Sequence, residues 1–74
     1  MKLENIQVKP ILGKRMKELG WTQLQLKEKT GVNQATISRF DQQTRFDVRH
    51  LFVFAHALNC KIEDLFEVTE SEEG

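Results

Sequence analysis

The fold is decided by Thr22–Phe40, TQLQLKEKTGVNQATISRF. Thr22 is placed to cap a helix, because its hydroxyl accepts one of the backbone N–H groups that a helix start leaves without a partner. The stretch TQLQLKEKT then runs to Gly31. Having no Cβ, Gly31 supplies the turn conformation that other residues resist. Asn33 is a second cap, opening another short helix, QATISRF. Leu26, Val32, Ile37 and Phe40 are spaced to meet in the angle between the two helices. Two short helices joined by a tight turn and crossing at roughly 90–120° form a helix-turn-helix.

The second of these helices is expected to turn Gln34, Ala35, Ser38 and Arg39 outward, with Thr36 beside them. A crossing of this kind lets one helix span a DNA backbone while the other projects into the major groove. The exposed side chains suit that task. Gln bonds adenine with two hydrogen bonds, Arg bonds guanine, and Ala touches a thymine methyl. Each has a plainer reading as well. Gln34 and Arg39 fit a solvated helix face, Thr36 and Ser38 suit any exposed helix, and Asn33 serves as a cap before it serves as a phosphate contact.

Towards the N-terminus, Val8, Ile11, Leu12, Met16 and Leu19 are spaced by 3, 1, 4 and 3, the pattern of one helical face. Pro10 fits the first turn of that helix and Gly20 its end. LENIQV, residues 3–8, is the strand candidate. Trp21 is expected in or at the edge of the core. Towards the C-terminus, DQQTRF reads as a loop, and Asp47 caps VRHLFVFAHAL. Val48, Leu51, Phe54, Ala55 and Leu58 form its apolar face, which leaves Phe52 or Val53 exposed, and exposed apolar side chains on this helix and the last one are the candidate dimer surface. Asn59 takes the left-handed conformation that ends the helix. A last helix, IEDLFEV, is expected to bury Ile62, Leu65 and Phe66. The predicted architecture is all-α: a compact five-helix domain over residues 1–67, followed by an acidic, disordered tail over residues 68–74.

Composition bounds the function. Seventy-four residues allow one domain, and 39% hydrophobic with 30% charged residues is a globular balance. No apolar run approaches the roughly 18 residues a membrane span needs. MKLENIQVKP has no signal-like apolar stretch, so a cytoplasmic setting without membrane association is expected. The single Cys60 excludes an internal disulfide and a multi-thiolate metal site, and is expected as a small buried hydrophobe at a helix junction. His50 and His56 stand six apart, which is not the spacing of helical metal ligands. There is no phosphate-cradling Gly loop, no nucleophile motif and no carboxylate pair outside the tail. Catalysis, cofactor, metal and small-molecule ligand are therefore not expected. The net charge of zero is segregated: residues 1–62 hold all eleven Lys and Arg against five acids, net +6, and the remainder holds six acids, net −6. A basic body of this kind attracts a polyanion, although a merely solvated surface segregates charge too.

TQLQLKEKTGVNQATISRF resembles the helix-turn-helix of the Cro/repressor-type (XRE-like) family of bacterial and phage transcription regulators. GWTQ resembles that family's entry to the first motif helix. LFVFAHALNCKIEDLF resembles its closing L-x-x-I-A-x-A-L-x-x-x-x-x-x-L-F segment, at the right distance downstream. The likeness spans about residues 8–67 and implies a lambda-repressor-like DNA-binding fold. It implies that Gln23 contacts a phosphate and braces the recognition helix, and that Gln34 reads adenine. It places Ala35, Thr36 and Arg39 against bases or phosphate, and the loop Gln43 to Phe46, with Arg45 as its cation, against the backbone. Two positions depart from the family pattern. Lys27 replaces a small Ala, so its methylenes must lie along the interface with the ammonium outward. Asp41-Gln42-Gln43 replaces Glu-Asn-Gly, without the Gly that turns the loop cheaply.

The DNA-binding set is thus Gln23, Asn33, Gln34, Ala35, Thr36, Ser38, Arg39 and Arg45. The expected function is a sequence-specific, double-stranded DNA-binding regulator of phage or mobile-element type, repressing by occupancy. One recognition helix covers only about four or five base pairs, so a homodimer on half-sites roughly 34 Å apart is expected. The competing reading is a protein-interaction or antitoxin-like module on the same fold, which the neutral total charge and acidic tail favour.

Overall fold

A computed structural model of the chain describes residues 3–70. Four α-helices form the body: α1 Leu12–Leu19, α2 Gln23–Thr30, α3 Gln34–Arg39 and α4 Val48–Leu58. Three 3-10 turns, Leu3–Asn5, Phe40–Gln42 and Ile62–Leu65, link them to a two-stranded antiparallel ribbon. Its strands are β1 Ile6–Pro10 and β2 Phe66–Glu70, with Ile6 opposite Glu70, Val8 opposite Val68 and Pro10 opposite Phe66.

The helix boundaries follow from local chemistry. At α2, Thr22 Oγ1 accepts from the Gln25 N–H at 3.1 Å while Gln25 Oε1 accepts from the Thr22 N–H at 2.9 Å, a reciprocal capping box. Asn33 and Asp47 cap α3 and α4 through bonds to the Ala35 and Arg49 N–H groups. Helix α2 ends at Gly31 with φ 78°, and α4 ends at Asn59 with φ 56°, both left-handed.

Helix α1 starts differently. Ile11 at its N-cap has no side chain that can bond, and the missing acceptor arrives from 29 residues away. Asp41 Oδ1 accepts from the Leu12 N–H at 2.7 Å, and Oδ2 from the Gly13 N–H at 2.9 Å. A Cβ on Gly13 would stand 3.1 Å from Asp41 Oδ2, so the glycine leaves room for the carboxylate. This contact ties the start of α1 to the turn that follows α3. Asp41→Ala removes both acceptors and is expected to lower stability by about 1–2 kcal/mol in a urea melt. An unshifted midpoint would show that water caps the helix equally well.

The core gathers Leu12 and Met16 from α1, Leu26 from α2, Ile37 and Phe40 from the α3 segment, Phe54, Ala55 and Leu58 from α4, and Leu65. Trp21 and Val32 pack against it partly buried. Phe40 is the hub, with ring centroids 4.6 Å from Phe46, 5.6 Å from Phe54 and 5.9 Å from Phe66. Arg15 Nε donates to the Asp64 carbonyl at 2.6 Å, holding the Ile62–Leu65 turn against α1.

Both chain ends differ from the all-α, five-helix expectation. The apolar spacing from Val8 does not begin a helix. Residues 6–10 are extended, and α1 begins at Leu12. Val8 is 54% exposed, so the helical spacing it completed was accidental. The expected last helix closes only one 3-10 turn before Phe66 leaves it. Pairing with β1 and the Phe66 ring against Phe40 and Phe46 win over local helix propensity. Strand β2 also takes in Val68, Thr69 and Glu70, the start of the expected disordered tail, while residues 71–74 lie outside the described residues. The apolar face of α4 begins at half-buried Leu51, because Val48 in the first turn is 62% exposed. Phe52 is exposed and Val53 half-buried. Cys60 is half-buried rather than buried, and it packs on the core. Its thiol is pushed above the usual range by burial first and the Asp64 carboxylate second, against the opposing pull of Arg15. No described helix is long and apolar enough to cross a membrane.

Candidate nucleic-acid interface

Residues 22–40 build a helix pair whose inside and outside are sharply separated. Leu26, Ile37 and Phe40 are buried, and Val32 packs beneath the turn. The turn has its own brace. Thr30 Oγ1 donates to the Leu26 carbonyl at 2.7 Å and accepts from the Val32 N–H at 3.1 Å. That hydroxyl was not among the residues singled out from the sequence, though a Thr immediately before the turn Gly is a legible signal for it.

With Ile37 and Phe40 inward, α3 turns Gln34, Ala35, Ser38 and Arg39 to solvent, and Thr36 is half-buried at the margin. The outward side chains are held only by their own helix. Arg39 Nε donates to the Ala35 carbonyl at 3.3 Å, and Ser38 Oγ lies 3.5 Å from the same oxygen. Among the described residues the ion pair is Arg15 with Glu18, and Arg39, Arg45 and Arg49 form none. Asn33 Oδ1 is taken by the Ala35 N–H at 2.7 Å, which leaves its Nδ2 amino group to donate elsewhere.

Asn33 and Thr36 share a shallow surface depression with Arg49 and His50 from the start of α4. Neither Arg49 nor His50 was expected there. Sequence spacing relates residues within one helix, whereas this meeting depends on how α4 docks. Gln23 lies exposed in the first turn of α2, and Arg45 lies exposed in the loop after α3. Neither bonds the α3 face. Lys27 is exposed, and its neighbour Leu26 is the residue buried between the helices.

The loop after α3 manages without the expected glycine. Phe40–Gln42 continues as a 3-10 turn and Gln43 is extended at φ −100°, so no left-handed residue is needed. The two acids that follow α3 in the chain are bonded at helix starts: Asp41 caps α1 and Asp47 caps α4.

His56 Nδ1 sits 3.0 Å from the Phe52 carbonyl of its own helix, and the His50 ring lies 6.0 Å from Phe54. Among the described residues no three His, Cys, Asp or Glu side chains are grouped to hold a metal.

A capped helix pair with a basic, hydrogen-bonding outer face is the geometry of a DNA-reading motif. Residues 12–71 match the family model of the Cro/C1-type HTH DNA-binding domain. The chain belongs to that family. Comparison with curated proteins and with solved structures finds no significant match. As a Cro/C1-type domain, the chain is a DNA-binding helix-turn-helix protein with α2 and α3 as the motif helices. The matched span begins at Leu12 and reaches past β2, so it includes the Ile62–Leu65 turn that Arg15 fastens to α1.

Proposed function

We propose that this Cro/C1-type domain is a sequence-specific regulator of transcription that represses by occupying its site on double-stranded DNA. The observation that supports this reading is the outward face of α3. Four small or hydrogen-bonding residues, Gln34, Ala35, Ser38 and Arg39, are exposed on a helix anchored from beneath by Ile37 and Phe40. In the proposed mechanism, Gln23 at the start of α2, Arg45 in the following loop and the Asn33 amino group contact phosphates and set the register. Gln34 and Arg39 then read base edges, with Ala35, Thr36 and Ser38 completing the surface. The protein acts in the cytoplasm, performs no catalysis and needs no cofactor, metal or small-molecule ligand. A repressor of phage or mobile-element type is the finer form of this reading. It binds as a homodimer, because one short α3 spans too few base pairs for useful specificity.

The deciding experiment selects bound fragments from a random duplex library and measures affinity for the winners against salt. Binding is expected to be sequence-selective and to fall steeply between 50 and 200 mM salt as phosphate counterions are released, by about three decades or more if roughly six phosphates are contacted. A two-fold-symmetric site would report the dimer. A flat salt response with no selected sequence would favour a protein-interaction or antitoxin-like module instead. Arg45→Ala is expected to weaken all duplexes alike and reduce the salt slope by about one. If the loss were confined to one sequence, Arg45 would be a base reader.

A further inference from the structure

Among the described residues the ribbon has two open edges, and its register says what each presents. The Ile11 N–H donates to the Leu65 carbonyl at 2.8 Å, directly beyond the Pro10–Phe66 pair. Antiparallel pairs alternate, so the residues that bond across the ribbon are odd-numbered in β1. Ile6, Val8 and Pro10 stand in the non-bonded pairs opposite Glu70, Val68 and Phe66, and their backbone groups point away from β2. Pro10 lacks an N–H and is tolerated because that edge is outermost. The free edge of β1 therefore offers donors at Ile6 and Val8 and carbonyls at the same two residues.

The period of two also puts Ile6, Val8 and Val68 on one face, and that face is uncovered, at 37%, 54% and 56% exposure. The edges differ in charge. Strand β2 carries Glu67 and Glu70 and no cation, while β1 carries Lys9 alone. Acids on an edge repel a second copy of the same edge. A two-stranded ribbon is itself marginal in water and gains from a further strand.

We infer that β1 pairs antiparallel with β1 of a second copy, about a two-fold axis through Gln7, giving a sheet of order β2-β1-β1-β2. Resting on the homodimer reading above, this names the surface through which the copies meet. In that register Ile6 faces Val8 of the second copy at both ends of the contact, which forms four N–H···O=C bonds and makes the apolar face continuous. A shift that sets Pro10 opposite a donor position forfeits bonds, so the proline selects the register. Lys9 comes level with the Leu3–Asn5 turn of the second copy, whose charged residue is Glu4. The two Lys9 residues stand about 13 Å apart along the strands, beyond the screening length of roughly 8 Å at physiological salt. Head-to-tail pairing of β1 on β2 does not close and would continue into a filament.

The test is sedimentation of the full chain over a concentration series, comparing wild type with Val8→Pro and Val68→Pro. Each proline removes one outward N–H and one valine from the same face, and neither takes a bond from within the ribbon. Wild type is expected to dimerise. Val8→Pro is expected to raise the dimer dissociation constant about 30-fold, the loss of two hydrogen bonds, and Val68→Pro to leave it unchanged. Lys9→Glu made together with Glu67→Lys, which keeps unlike charges opposite each other within the ribbon, should weaken the dimer, and Glu4→Lys in the same chain should restore it. This pair decides the matter if Val8→Pro fails to fold, and absence of restoration then overturns the inference. A dimer that survives Val8→Pro overturns the β1 contact and leaves the homodimer reading standing. Equal dissociation by both prolines shows packing through the apolar face and overturns it too. A wild type monomeric at every concentration, free and on DNA, removes both.

Discussion

Phe40→Ala is expected to leave much of the protein unfolded at 25 °C. Phe40 is 2% exposed and is the side chain on which separate parts of the chain converge. Its ring meets Phe46 from the loop after α3, Phe54 from α4 and Phe66 from β2. A buried Phe→Ala change costs about 3–5 kcal/mol in lost transfer energy and cavity. Aromatic pairs add about 0.5–1.5 kcal/mol each beyond burial. A domain of this length holds only roughly 4–11 kcal/mol in total. The loss therefore takes a large share of the whole, and the helical circular dichroism should melt near or below room temperature. Phe40→Leu keeps most of the volume and should retain a cooperative melt. If Phe40→Ala melts within a few degrees of wild type, the aromatic hub is not the centre of the core.

Arg39→Ala and Gln34→Ala are expected to do the opposite: to spare the fold and cost binding. Both residues are exposed, and the bond lost with Arg39 is a 3.3 Å contact to its own helix. Stability should change by no more than about 0.5 kcal/mol. Each side chain placed against a base edge is worth about 1–3 kcal/mol of discrimination, a weakening of roughly 5- to 150-fold on the selected site. The loss should be specific, with each variant relaxing preference at one base position and the uncharged change, Gln34→Ala, binding random duplex as before. Titration of labelled duplexes, cognate and mismatched, separates this from a general electrostatic loss. Two silent variants would remove α3 as the reading helix.

These two expectations sit on neighbouring residues, Arg39 and Phe40, and the difference between them was legible beforehand. Helical spacing alone sends Ile37 and Phe40 inward and Gln34, Ala35, Ser38 and Arg39 outward, as observed. The caps at Thr22, Asn33 and Asp47 were legible for the same reason. A cap is a bond between a side chain and a backbone group two or three residues away, and residue type with spacing suffices to find it.

What escaped were the contacts with no local signature. The Asp41 carboxylate at the start of α1 lies 28 and 29 residues from its two donors, so nothing near Leu12 announces it. The meeting of Arg49 and His50 with Asn33 and Thr36 depends on the docking of α4. The ends of the chain are only partly legible for a related reason: the strand candidate at residues 3–8 overlaps β1, whereas the helical spacing from Val8 and the last helix do not hold. Residues 6–10 and 66–70 have ambiguous periodicity, and neither segment can be a strand without the other.

The motif, its caps, its buried side and its outward residues follow from local residue order, because helices satisfy their backbone within a few positions of each residue. That the two ends become strands, that Asp41 completes α1 and that Phe66 closes the aromatic core follows from long-range packing. Those outcomes turn on hydrogen bonds and ring contacts between segments far apart in the chain, whose energy exists only once both are in place.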